Sequence, residues 1–236
     1  MNIHEIQAVV FDCDGVVIDS GADMASAVNS TLAHFGLCRL PESQIVSFVG
    51  NGARMLIVRS VAAAEGKTEA ELSADIRIDG ILDWYKAYYN DHAVERTVLY
   101  PGYRELLETL AARGYHMAVV SNKPLATTRR ILEHFGIAGH FDAVVGPEML
   151  KRIKPDPEGL ALALLCINEK RAAESRPSLQ PAQVLMVGDS WVDIRTGRNF
   201  GCNTCAVTGG LGDSEKLAAE HADMTVTYAG ELAQLL

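Results

Sequence analysis

Six short runs of apolar, strand-favouring residues recur along the chain, at 8–11, 117–120, 143–145, 184–187, 204–207 and 224–227. Several are apolar at every position, the pattern of strands covered on both faces of a sheet. Between them lie segments with helical spacing, at 103–113, 126–135, 156–168, 191–200 and 214–221. Strand and helix alternating in this way predict an α/β domain with a largely parallel sheet.

One stretch interrupts the alternation. From about residue 19 to about residue 96 there is helical periodicity and no strand signal. Ala25, Val28, Leu32 and Phe35 make one stripe, Met55, Leu56, Val58, Arg59 and Ala62 suggest a second helix, and 78–89 a third. Glycines and a proline (Gly36, Pro41, Gly50, Gly52, Gly66) punctuate them. The expected organisation is an α/β core from 1–18 and 97–236 with a helical insertion at 19–96. The segment 165–181 looks longer than a minimal connection and reads as solvated surface.

Composition narrows the partners. The 236 residues carry 21 Lys+Arg against 30 Asp+Glu, a formal charge of −9. An acidic balance argues against nucleic acid, whose phosphates need clustered Lys and Arg. No apolar run approaches the ~20 residues of a membrane span, and the start lacks the pattern of a signal peptide. Five scattered cysteines are too few for a disulfide scaffold and fit reduced thiols in the cytoplasm. Cys202 and Cys205 have redox spacing but read as small apolar residues entering a buried strand. The seven histidines show no metal spacing and read as surface or packing residues.

The chemistry-bearing residues gather where strands should end. Asp12 and Asp14 follow the first run directly, and ligands of open α/β sheets bind outside the carboxyl ends of the strands. Alternate side chains of an extended chain share one side, so both carboxylates can approach one ligand. The second run ends in Ser121, Asn122 and Lys123, a hydroxyl with turn amides suited to phosphate oxygens. Lys154 stands just ahead of a predicted helix, and the fourth run ends in Gly188, Asp189, Ser190 and, beyond, Asp193. Hard carboxylate oxygens from Asp12 and Asp189 suit Mg2+. A hydroxyl, amides and a lysine suit the charge of a transferring phosphoryl group. A carboxylate nucleophile with a second carboxyl group beside it supports a covalent phospho-aspartate route.

These four clusters, in this order, resemble the motifs of the haloacid dehalogenase superfamily of phosphohydrolases over nearly the whole chain. Within it, the stretches from Asp19 to Ala25 and from Val49 to Arg54 resemble the phosphoglycolate phosphatase group. The resemblance implies a Rossmann-like parallel sheet flanked by helices, with an inserted α-helical cap domain. It implies Mg2+-dependent hydrolysis of a small phosphate ester, 2-phosphoglycolate foremost, by a monomer or homodimer. Asp12 would be the nucleophile and a metal ligand. Asp14 would be the general acid/base, with its backbone carbonyl on the metal. Ser121 and the Asn122 amide would hold phosphoryl oxygens, Lys154 would neutralise charge, Asp189 would bind metal, and Asp193 would orient a metal water or Lys154. Other small-metabolite or sugar phosphatases share these residues, as does a β-phosphoglucomutase-like mutase, though that group's histidine after Ser20 is missing here. A dehalogenase would lack Asp14. A non-catalytic binding protein on the same fold is the alternative from another class.

Specificity then falls to the insertion. Gly50, Asn51 and Gly52 would open a cap helix, and Arg54 suits a substrate carboxylate or is an ordinary exposed arginine. Trp84, Tyr85, Tyr88 and Tyr89 read as cap core or a cap-to-core contact. The loop 209–213 lacks the aromatic residue expected of the nearest relatives.

Overall fold

The computed structural model describes residues 3–236, so Met1 and Asn2, at the head of the expected segment 1–18, lie outside the described residues. The chain enters β1 (Ala8–Phe11) and β2 (Ile18–Asp19), then a helical stretch: α1 (Gly21–His34), α2 (Glu42–Val46), α3 (Gly52–Glu65), α4 (Glu69–Ser73) and α5 (Arg77–His92). It returns through β3 (Val98–Leu99) to α6 (Tyr103–Ala112), β4 (His116–Val120), α7 (Leu125–His134), β5 (Ala143–Val145) and α8 (Glu158–Ala173). The rest is β6 (Val184–Gly188), α9 (Trp191–Phe200), β7 (Asn203–Val207), α10 (Ser214–Ala219), β8 (Met224–Val226) and α11 (Leu232–Leu235).

Six strands form one sheet in the order β5-β4-β1-β6-β7-β8, all pairs parallel. Every residue of β1, β4 and β6 is buried, because these central strands are covered on both faces. Their alternate side chains feed two cores. Val9, Phe11, Met117, Val119, Leu185 and Val187 pack on the face that carries α6, α7 and the helical stretch. Ala8, Val10, Ala118, Val120, Val184 and Met186 pack against α8. From β1 the chain runs outward through β4 to β5, then crosses to β6 on the other side of β1 and runs outward again. That reversal opens a crevice at the carboxyl ends of β1, β4 and β6.

Two features were not legible in the sequence. The helical stretch is entered and left through an antiparallel pair, with Ile18 opposite Leu99 and Asp19 opposite Val98. Two-residue strands carry too little pattern to be read. Beside this pair, the buried carboxylate of Asp23 accepts bonds from the backbone of Arg96 and Thr97 (2.9–3.0 Å) and from the Thr97 hydroxyl (2.8 Å), tying entry to exit. The reading of 165–181 as solvated surface holds for most of its residues, but its first half is helix and three of its side chains are buried. The stripe Leu160, Ala163, Leu164, Ile167 continues to a buried Arg171, so α8 runs on to Ala173. Arg171 Nε donates to the Pro177 carbonyl (2.7 Å), and Asn168 clasps the backbone of a buried Leu179.

Cys202 and Cys205 are buried and free, their thiols pushed up to about 12 by burial, which suits packing and not redox exchange. No helix among the described residues is long and apolar enough to cross a membrane.

Candidate active site

The backbone past β1 keeps its place in the sheet, because Asp12 N donates to the Val187 carbonyl at 2.9 Å. Asp12 thereby stands at the mouth of the crevice with its side chain against the end of β6. Its Oδ1 accepts from Cys13 N at 2.7 Å and lies 2.9 Å from Lys154 Nζ. Lys154 also donates to Asp193 Oδ1 at 2.6 Å, and its side chain is 2% exposed. Burial drives the Asp12 carboxyl up to about 6, against the pull of Lys154 and with added repulsion from Asp193 and Asp14. The lysine is held above its ordinary range, since Asp12 and Asp193 outweigh the cost of burying it.

Asp189 follows β6. Its Oδ2 accepts from the amides of Leu211 (2.7 Å) and Gly212 (2.9 Å). Burial, then Asp193 and Asp12, push its carboxyl well above the usual range, against those two amides. The loop 209–213 is thus a cradle for Asp189. A Cβ on Gly212 would fall 2.2 Å from the Asp189 carbonyl oxygen, and one on Gly15, whose φ is +80°, 1.8 Å from Asp189 Oδ2. Only glycine allows that approach.

Asp193 caps its own helix. Its Oδ2 accepts from Ser190 N and Oγ, while Oδ1 takes Lys154. Among the described residues, the one group of Asp, Glu, His or Cys side chains close enough to share an ion is Asp12, Asp189 and Asp193. Their ligand oxygens lie within 4.8 Å of one another. Two of these three carboxylates pair with one ammonium and the third, Asp189, with none, a surplus of negative charge on hard oxygen donors that fits a divalent hard cation. Asp14 does not join this group through its side chain.

Asp14 instead faces the helical stretch. Its Oδ1 accepts from Ser20 Oγ (2.5 Å) and from Lys123 Nζ (2.8 Å). The structure brings Ser121 to the same crevice, with its backbone held by Val145. Asn122 also lines it, but its side chain is engaged with backbone: Nδ2 donates to Lys154 O (3.2 Å) and Gly50 O (3.3 Å), and Oδ1 accepts from Lys154 N (3.1 Å). That clamp sets Lys154 and ties the Gly50 turn to the sheet.

Across the crevice, Gly50, Gly52, Ala53 and Leu56 form one wall, with Tyr85 and Tyr89 beside them. Two of the four aromatic residues read as cap packing are therefore walls of the site. Tyr85 and Tyr89 stack at 5.5 Å, and both are 1% exposed. Trp84 and Tyr88 stack on one another away from it. Asn51 does not line the crevice; its Oδ1 accepts from Arg59 Nη1 at 3.1 Å.

Of the two readings of Arg54, partner of a substrate carboxylate or ordinary exposed arginine, the geometry fits the second. Ala53 and Leu56 share the inward face of α3, and a residue one step from Ala53 is turned by about 100° around the helix. Arg54 points outward and pairs with Asp79 at 2.5 Å, the two side chains 47% and 70% exposed. An exposed pair of this kind is worth about 0–1 kcal/mol. Arg54→Ala should therefore leave phosphatase kcat/KM within about threefold and the unfolding free energy within about 1 kcal/mol. A tenfold loss of kcat/KM would return Arg54 to the site. Sequence reasoning missed the amides of Leu211 and Gly212 and the burial of Lys123, noted only as the end of a strand, whereas Tyr89, read as cap core or a cap-to-core contact, meets Lys123 through its hydroxyl. No local pattern marks a lysine for burial.

Comparison with known proteins agrees with this geometry. A model of the haloacid dehalogenase-like hydrolases matches residues 9–207. A curated phosphoglycolate phosphatase of Pasteurella multocida is 35% identical over 232 residues, covering 98% of this chain and 99% of that protein. One from Vibrio parahaemolyticus is 32% identical over 236 residues, covering 100% of this chain and 98% of that protein. The crystal structure of a protein described as a predicted phosphoglycolate phosphatase, from Haemophilus somnus 129PT, superposes with a TM-score of 0.83. It shares 30% identity over 98% of both chains.

Proposed function

The chain belongs to the haloacid dehalogenase-like hydrolases and is a phosphatase, and from that premise we propose that it hydrolyses 2-phosphoglycolate to glycolate and phosphate with Mg2+, through a phosphoryl group carried on Asp12. The observation that carries this reading is the meeting of Asp12, Asp189 and Lys154 at the carboxyl ends of β1 and β6, opposite Ser121 at the end of β4.

In this reading an oxygen of Asp12 attacks phosphorus while Ser121 Oγ and the Asn122 amide hold the phosphoryl oxygens. Lys154 offsets the charge gathered between nucleophile and phosphate. Asp14 gives a proton to the departing alcohol oxygen as the ester P–O bond breaks. It then takes a proton from the water that attacks the aspartyl phosphate, releasing phosphate and restoring Asp12. Asp12, Asp189 and the backbone carbonyl of Asp14 would hold Mg2+, which would supply Lewis-acid neutralisation of phosphoryl charge. Asp193 acts through Lys154, whose ammonium it anchors. The helical segment 19–96 serves as the cap, its α3 and α5 walling the crevice and keeping water from the reacting groups.

The test is kcat/KM with Mg2+ across a panel of small phosphate esters. The proposal expects 2-phosphoglycolate to lead sugar phosphates by more than about tenfold; equal values, or a sugar phosphate in front, would defeat it. The metal can be tested apart from turnover. Folded Asp12 binds its proton more tightly, at about 6, than the ordinary carboxyl at 3.8. In chelator, the contribution of Asp12 to stability should therefore be fully present below the lower value and be lost as pH rises through about 6. Adding Mg2+ at about pH 7.5 should raise the melting temperature, and less so at about pH 5, where protons already occupy the site. A melting temperature indifferent to Mg2+ at the higher pH would remove the metal from the proposal.

A further inference from the structure

Resting on the reading of the substrate as a phosphorylated short acid, we infer that Lys123 is the residue that recognises the leaving group, by pairing its ammonium with the substrate carboxylate. Lys123 lines the crevice with a side chain only 2% exposed. Among the described residues lining the crevice, it is the one cationic side chain. Lys154 lies deeper, between Asp12 and Asp193. The other cations near the wall are turned away: Arg54 pairs with Asp79, and Arg59 donates to Phe48 O and Asn51 Oδ1.

Position supports the assignment. The group that protonates the leaving oxygen must lie within hydrogen-bond reach of it, and Lys123 Nζ is one hydrogen bond beyond that group, 2.8 Å from Asp14 Oδ1. In phosphoglycolate a single methylene separates the ester oxygen from the carboxylate. An anion so close to the leaving oxygen falls beside the Asp14–Lys123 pair. An ammonium has three donors. Asp14 and the Tyr89 hydroxyl (2.5 Å) take two, leaving one for a ligand. Through that hydroxyl Tyr89 fixes the lysine from the cap side, its ring centroid 4.5 Å from the ammonium. The surrounding wall of Met24, Val49 and Leu56 offers little to the hydroxyls of a sugar. It strengthens a charge pair by excluding water.

The experiment compares kcat/KM for phosphoglycolate and for ethyl phosphate, which has the same skeleton without the carboxylate charge, in wild type, Lys123→Gln and Lys123→Arg. Glutamine can still bond Asp14 and Tyr89 but carries no charge. Lys123→Gln should cut phosphoglycolate about 10- to 100-fold more than ethyl phosphate, the loss of a hydrogen-bonded charge. Lys123→Arg should retain a preference for the acid. Equal losses on both substrates, or a preference that survives Lys123→Gln, overturn the inference and leave the phosphoglycolate reading standing. Wild-type turnover of ethyl phosphate as fast as phosphoglycolate defeats the substrate reading, and the inference with it. Should Lys123→Gln not fold, Lys123→Met keeps the stem packed, and the same ratio decides.

Discussion

Asp12→Asn should lower kcat on phosphoglycolate by more than about 10,000-fold, roughly 5.5 kcal/mol of barrier, because an amide cannot attack phosphorus and no other carboxylate stands in its place. The fold should survive. The Asp12 carboxyl is raised to about 6 by burial and by its acidic neighbours, so its ionised form is a cost to the folded state near neutrality. A neutral amide relieves the repulsion and gives up the Lys154 pair. Without metal, Asp12→Asn should therefore melt at or above the wild-type temperature at about pH 7.5. Asp12→Ala controls for slow deamidation. Acid-quenched wild type should carry phosphate on this residue and the variants none. More than a few per cent of wild-type kcat in Asp12→Ala would defeat the covalent route.

Lys154→Met should cost both activity and stability. Its ammonium lies 2.9 Å from Asp12 and 2.6 Å from Asp193, and its removal leaves three buried carboxylates within 4.8 Å of one another with no cation. Breaking a buried pair by deleting one partner typically costs about 3–5 kcal/mol, read here as a lower urea midpoint in chelator. Loss of charge stabilisation at the phosphoryl group should lower kcat by about 100- to 1,000-fold. Lysine is what pulls the Asp12 carboxyl down, so without it Asp12 should titrate higher still, and stability should fall over a pH window displaced upward. Mg2+ should restore part of the lost stability by supplying positive charge. A stability loss below about 1 kcal/mol would mean that water reaches this cluster and the burial argument fails.

How much could be read depended on the range over which each feature is set. The strands β1, β4 and β6 were visible because full burial leaves a local mark, an unbroken apolar run. Asp12, Ser121 and Asp189 were visible because each sits one or two residues past such a run. The pair β2–β3 was not, since two residues carry no period. Arg54 stayed open between two readings because its place at the start of α3 is a local fact, whereas its direction is not. Its partner Asp79 is 25 residues away on α5.

Local pattern was enough to read the parallel sheet, the run of helices that spans Gly21 to His92, and the polar residues gathered at the strand ends, because each follows from side-chain periodicity and from what comes next along the chain. Only the folded chain shows which carboxylates lie close enough to share an ion, that 209–213 cradles Asp189, and that a lysine is buried against Asp14. Those outcomes rest on pairings across long separations, 109 residues for Asp14 and Lys123, 34 for Lys123 and Tyr89, and 22 for Asp189 and Leu211. A charged side chain is buried only where folding brings a counter-charge or hydrogen-bond partners to meet it, and no one residue carries that information alone.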